Sequence, residues 1–148
     1  MRIRPYTDAD FAATVALWRD VTRATYTFLP TEMAHTREED EDYFRRVIAT
    51  KNELFLAESD DGVLLGYLAI DVPTIDRLYV ALDAQRRGVG TALLDHARTR
   101  SPEGLRLFTH QRNHGARRFY EARGFEVLRY GVSPPPESEP DVEYVWKP

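Results

Sequence analysis

The spacing of apolar residues changes period several times along the chain, and each change marks an element. Ile3 to Pro5 reads as a short strand. From Asp8 the spacing becomes helical, with Phe11, Val15 and Trp18 on one stripe and Leu17 and Val21 beside it. The uncharged run Ala24 to Pro30, rich in aromatic and β-branched residues, should end that helix. Thr36 with Glu39 three positions on forms a capping box, and acids crowd the following turn from Glu38 to Asp42, where they face the positive end of the helix dipole. Tyr43, Phe44, Val47 and Ile48 are the expected buried face of this second helix.

Three strand-like runs follow: Leu54 to Glu58, Leu64 to Ile70 and Thr74 to Val80. Asp60-Asp61-Gly62 and Asp71 to Pro73 separate them as turns, so the three read as an antiparallel meander. A glycine-containing loop, Gln85 to Gly90, opens a third helix from Thr91 to about Arg100. Ser101-Pro102-Glu103-Gly104 ends it, and Leu105 to Thr109 is a strand. Asn113 to Arg123 forms a fourth helix stopped by Gly124, and Phe125 to Tyr130 and Val142 to Trp146 complete the strands. Ser133 to Pro140, proline-rich and acidic, should be an extended loop. The expectation is one α/β (α+β) domain over residues 1–148, with a sheet of about seven strands and four helices, and no internal repeat.

Composition narrows the chemistry. The 148 residues include no cysteine, which excludes a disulfide framework, a thiolate metal site and a cysteine nucleophile. Met1 to Pro5 runs straight into polar sequence, and no apolar run approaches the ~18 residues of a membrane span, so a cytoplasmic protein is expected. The net charge of −4 hides an asymmetry. Between Arg77 and Arg129 there are 11 arginines and 5 acids, a balance of +6, while the remainder carries 9 basic and 19 acidic residues. One region is therefore suited to anions, unless solvated charges merely segregate.

The informative junction is strand, glycine loop, helix, from Leu78 to Leu94. Gly88 and Gly90 leave backbone accessible, and the free amides at a helix start, with Arg86 and Arg87 beside them, suit phosphate oxygens. A P-loop needs lysine where Val89-Gly90-Thr91 stands. A dinucleotide loop needs a third small residue where Leu93 stands, and an acid about 20 residues on, where His110 sits. The pattern Gln/Arg-x-x-Gly-x-Gly/Ala of an acyl-CoA pyrophosphate loop is matched in full by Gln85, Gly88 and Gly90. The remaining alternative is a plain turn.

Leu78-Tyr79-Val80 followed by Gln85-Arg86-Arg87-Gly88-Val89-Gly90-Thr91-Ala92-Leu93-Leu94 resembles the central cofactor motif of the GNAT N-acetyltransferases. Asn113 to Phe125, with its Ala, Phe-Tyr and Gly-Phe in order, is similar to that family's second signature. The resemblance is strongest over residues 54–128. It implies a mixed, mainly antiparallel sheet and acetyl-CoA as co-substrate, with no metal. It also implies acetyl transfer to a primary amine by direct attack in a ternary complex. The backbone of Leu78, Tyr79 and Val80 would pair with the pantetheine arm, amides from Arg86 to Thr91, Val89 included, would hold the pyrophosphate, and Asn113 would touch the cofactor. Tyr120 matches the family tyrosine that protonates the leaving thiolate, a task suited to a phenol of pKa about 10; the alternative is a core aromatic paired with Phe119.

The acceptor amine must lose a proton. Asp76 is the candidate by position, because strand alternation would put it on the face of Leu78, and a salt bridge with Arg77 is the equal alternative. His35, in the connection between the first two helices, could orient substrate or assist as base, the alternative being an exposed loop histidine with no role. His110 and His114 read as surface or supporting groups. Trp18, Tyr26 and Phe28 could wall an acceptor pocket, with Glu137, Glu139, Asp141 and Glu143 ringing its mouth to attract a small cationic amine, the alternative being a solvated acidic loop. Protein amino groups, a non-catalytic CoA-binding module and a homodimer paired through the last strands remain open. RNA binding is disfavoured by the net acidity and by the few aromatics among the arginines. No nucleic-acid or membrane partner is expected.

Overall fold

The computed structural model describes all of residues 1–148. Its strands are β1 (Arg2–Pro5), β2 (Glu53–Glu58), β3 (Leu64–Asp71), β4 (Thr74–Val80), β5 (Leu105–His110), β6 (Glu126–Val132) and β7 (Pro140–Trp146). They form one sheet in the order β1-β2-β3-β4-β5-β7-β6. Every pairing is antiparallel except that between β4 and β5, which share only the step Thr74 to Arg106. Beyond that step the two strands diverge, and β4 has no strand partner on its β5-facing edge.

The helices are α1 (Phe11–Thr25), α2 (Pro30–Ala34), α3 (Arg37–Tyr43), α4 (Ala49–Lys51), α5 (Val89–Arg100) and α6 (His114–Glu121). The mixed, mainly antiparallel seven-stranded architecture is the expected one, with one addition: Pro30, at the first helical position, starts the short α2 inside the α1–α3 connection. Between α3 and α4 the chain continues as a π-helical stretch, Phe44–Ile48. Its extra residue per turn rotates the stripe, so Phe44 and Ile48 are fully buried whereas Tyr43, expected inside, is exposed. The capping box at Thr36 and Glu39 forms as read from the sequence, with reciprocal bonds of 3.1 and 2.9 Å.

Helices cover both faces of the sheet, which is why its central strands are apolar at nearly every position rather than at alternate ones. Phe55, Leu68, Ile70 and Val142 pack beneath α5 and α6 with Leu93, Leu94 and Tyr120. Leu56, Tyr67 and Ala69 face the other way, toward Val15, Trp18 and Val21 of α1 and toward Phe44 and Ile48. At about 25 cal/mol per Å² of apolar area, each of these two cores is a multi-residue contribution that no single loop can match. By contrast β6 is an edge strand whose every residue is exposed, with Phe125 just before it buried. No helix is long and apolar enough to cross a membrane.

Candidate active site

The gap between β4 and β5 is a cavity of about 770 Å³, lined on one side by residues of β4 and on the other by the start of α5 and one face of α6. The loop that closes its end is shaped by backbone. Gly88 has φ of +84° and caps α5 from the left-handed region, and Arg86 also has positive φ, at 64°. A turn through that region suits glycine and leaves the first amides of α5 without carbonyl partners. Gln85 Nε2 donates to the Val80 carbonyl at 3.2 Å, tying the loop to the end of β4. Gly90, which lines the cavity, also serves the packing of the two helices. A Cβ there would lie 3.2 Å from the Phe119 ring, so the residue lets α5 and α6 close together. Gln85, Arg86, Gly88, Gly90 and Thr91 line the cavity; Val89 is turned into the core, and the Arg87 side chain stays outside.

This end is suited to a polyanion. Four arginines, Arg77, Arg86, Arg118 and Arg123, line the cavity against one acid, Asp76. Free helix-start amides and this excess of guanidinium groups are the donor set that a pyrophosphate takes. The unpaired edge of β4 at Leu78 to Val80 supplies backbone donors and acceptors alongside it. The residues present therefore fit a CoA-type ligand.

Two side chains of α6 govern the middle of the cavity. Asn113 caps the helix, its Oδ1 accepting from Ala116 N at 3.1 Å, and its Nδ2 donates to the Tyr26 hydroxyl at 3.3 Å. It thereby ties the α1 end to the α6 start. Tyr120 is only 7% exposed, packed against Phe119, Phe125 and Tyr144 at centroid distances of 5.1, 5.3 and 6.4 Å. It is a core aromatic and a cavity-lining residue at once, so the two sequence readings are not exclusive. Burial pushes its phenol well above the usual value, and the neighbouring Tyr79 adds to that. The hydroxyl therefore keeps its proton far into the alkaline range.

A second cavity of about 630 Å³ adjoins the first, and Tyr26, Asp76, Arg77, Tyr79, Phe108 and Thr109 line both. Its walls carry five carboxylates, Glu32, Asp76, Glu137, Asp141 and Glu143, against two arginines, Arg77 and Arg129. Burial pushes the Asp141 carboxyl above its usual range, against the pull of His110.

Several residues are placed differently from the sequence expectation. Asp76 does not share the face of Leu78. The register slips so that Arg77 pairs with Ala69 and Ile75 with Ile70, which leaves Asp76 as the unpaired residue of a β-bulge. It forms no salt bridge with Arg77 either. Asn52 Nδ2 donates to its carboxylate at 2.9 Å, and Lys51 Nζ lies 3.9 Å away. Trp18 is 2% exposed and lies in the core between α1 and α3, off both cavity walls, because the helical stripe that carries it faces the sheet. Phe28 stands one layer back, packing edge-on against Tyr26 and His110. His35 is turned away: its carbonyl accepts from Arg23, and its ring lies 3.5 Å from Asp40. Glu139 is drawn off by Arg112 at 2.8 Å and does not line the mouth, although Glu137, Asp141 and Glu143 do.

The sequence reading gave Glu32 no role, took Arg77 only as a possible partner of Asp76 and read His110 as a surface or supporting group, yet all three line the second cavity. His110 lies 5.0 Å from the Tyr26 ring and 3.7 Å from Glu137, inside the second cavity. Its position at the C-terminal end of β5, facing the diverging strand, was the available signal.

Known proteins agree with this geometry. The model of the Acetyltransferase (GNAT) family matches residues 15–125. The chain is 29% identical over 133 residues to the peptidyl-lysine N-acetyltransferase YiaC of Escherichia coli K12, covering 85% of this chain and 84% of that one. It is 31% identical over 113 residues to the peptidyl-lysine N-acetyltransferase YjaB of the same organism, covering 76% and 74%. The solution structure of apo YjaB superposes with a TM-score of 0.81 at 27% identity, over 98% of this chain and 96% of that one. The PaiA N-acetyltransferase of Thermoplasma acidophilum, solved with coenzyme A, shares the fold at a TM-score of 0.73 and 20% identity, over 99% and 98% of the two chains. With residues 15–125, three quarters of its length, matched by the family model, the chain belongs to the GNAT family and is an N-acetyltransferase.

Proposed function

We propose that this enzyme transfers the acetyl group of acetyl-CoA to the ε-amino group of a lysine in a peptide or protein. The observation that carries the proposal is the pair of joined cavities of opposite charge, with Tyr120 in the cationic one and a ring of carboxylates around the other. The names of YiaC and YjaB support a peptidyl-lysine acceptor over the small cation that the acidic loop alone suggested. The second cavity suits either amine electrostatically.

Acetyl-CoA supplies an acetyl group activated as a thioester. Amides from Arg86 to Thr91 grip its diphosphate, and the free edge of β4 at Leu78, Tyr79 and Val80 lays the pantetheine arm toward Tyr120. The carboxylates at the mouth draw the lysine side chain inward. An ammonium of pKa about 10 must lose a proton before its nitrogen can attack, and Asp76, the one carboxylate that lines both cavities, is placed to take it, directly or through water. As the new C–N bond forms and the C–S bond breaks, the Tyr120 hydroxyl gives its proton to the departing sulfur, and the second proton that the nitrogen sheds on becoming an amide restores the phenol, directly or through water. Its raised pKa suits a group that must remain protonated until that moment.

The test is release of free thiol from acetyl-CoA on adding a lysine-containing peptide, with the acetylated peptide identified by mass spectrometry. Transfer to a polyamine but not to any peptide would overturn the acceptor assignment. Coenzyme binding without thiol release from any amine would overturn catalysis in favour of a binding module.

A further inference from the structure

At the junction of the two cavities sits a guanidinium with no protein anion to match it. Arg77 lies with its Cζ 4.7 Å above the Trp18 ring and 5.8 Å from that of Tyr43. Stacking of this kind satisfies the flat faces of a guanidinium, whereas its N–H donors point outward in the plane and need acceptors of their own. For Nε that acceptor is missing: it is cut off from solvent with no hydrogen-bond partner. The carboxylate next in sequence, Asp76, is held by Asn52 and Lys51 instead. In the second cavity the other arginine, Arg129, is paired with Glu143 at 2.7 Å, which leaves Arg77 as the one guanidinium there without a carboxylate. An enclosed cation with open donors, facing a ligand cavity, is stabilised when a ligand supplies the anion.

We infer that Arg77 is a carboxylate-binding subsite for the acceptor, so that this enzyme selects amines whose own molecule carries an acidic group close by. This rests on the proposed acceptor cavity and adds a preference to it. The lysine ammonium enters along the carboxylates of Glu137 and Asp141, and the acceptor's carboxylate lies against the fork of Arg77. That carboxylate has two sources in peptides, an Asp or Glu beside the lysine or a terminal α-carboxylate.

The experiment has a binding arm and a kinetic arm. In the first, the Arg77 Nε–H resonance, assigned by its loss in Arg77→Lys, is followed by NMR while sodium acetate and then glutarate are added at constant ionic strength. A saturable shift is expected in the wild type. An unmoved signal overturns the inference. In the second, peptides with Lys-Glu are compared with Lys-Gln, and free C-termini with amides, for the wild type and for Arg77→Gln and Arg77→Lys. Whichever pair separates identifies the source. The wild type should prefer the acidic peptide by about tenfold in kcat/KM through KM, a preference lost in Arg77→Gln and not restored by Arg77→Lys, whose point charge cannot form the fork. Equal losses on acidic and neutral peptides would show a structural role and overturn the subsite. Acetate binding without acetylation of any peptide would sink the lysine reading yet leave the subsite standing. Acetylation with neither acid preference nor a shifted signal would do the reverse.

Discussion

The two joined cavities are built from different materials. The cationic one is largely backbone: the edge of β4, the turn at Gly88 and the amides that open α5. The acidic one is made of side chains gathered from the α1–α2 connection, α2, β4 with its bulge, the end of β5, β6, β7 and the loop between those last two strands. Backbone sites demand particular conformations, hence particular residues at fixed spacing, and a shared co-substrate gives every relative the same demand. Side-chain sites only need suitable groups to converge. The first kind of site is therefore conserved in form across a fold, and the second is where specificity is set.

The sharpest way to break the backbone half is at Gly66. A Cβ there would lie 2.7 Å from the Tyr79 carbonyl oxygen. Gly66→Val should force β3 from β4, costing about 3 kcal/mol in denaturant unfolding and weakening coenzyme binding in calorimetry. Next in size is Tyr120→Phe, which removes a proton donor while keeping the ring in its packing. We expect kcat to fall about 100-fold with KM for acetyl-CoA nearly unchanged, measured as thiol release. In the side-chain half, Asp141→Asn should raise KM for a lysine peptide about fivefold with little change in kcat, and the difference should shrink in high salt. Coenzyme affinity should not move, which is what separates the two halves.

The smallest effect belongs to neither cavity. The Arg4 guanidinium, bonded at 2.8 and 2.9 Å, holds the Asp10 carboxyl down at about 2. Because that value is depressed on folding, the stabilisation is present above the ordinary carboxylate range and is lost as pH falls from about 4 through about 2. Asp10→Asn should cost about 1 kcal/mol near neutrality, after allowance for solvent screening, and nothing at strongly acid pH. A thermal-melt series against pH checks it, and both cavities should keep their ligands.

Much of the cationic half was legible because local rules write it. Gln85 and Gly88 mark the turn, Thr36 with Glu39 the helix start, and Asn113 the cap of α6, each through interactions within a few residues. Tyr120 was legible from the Phe-Tyr placement of the second signature. What failed was phase. The bulge at Asp76 breaks the alternation that was to put it beside Leu78, and the π-helical stretch turns Tyr43 outward, and neither irregularity has a local sequence signal. His35 and Glu139 were assigned by segment, yet Asp40 and Arg112 hold them elsewhere.

The chain alone thus determined the strands, most of the helices, their order and the glycine turn before α5, since hydrophobic period and φ preference act over a few residues. Only the tertiary structure decided which charges meet around the second cavity. Arg77, Glu32 and His110 lie far apart in sequence, and they come together because β4 and β5 part after a single shared step.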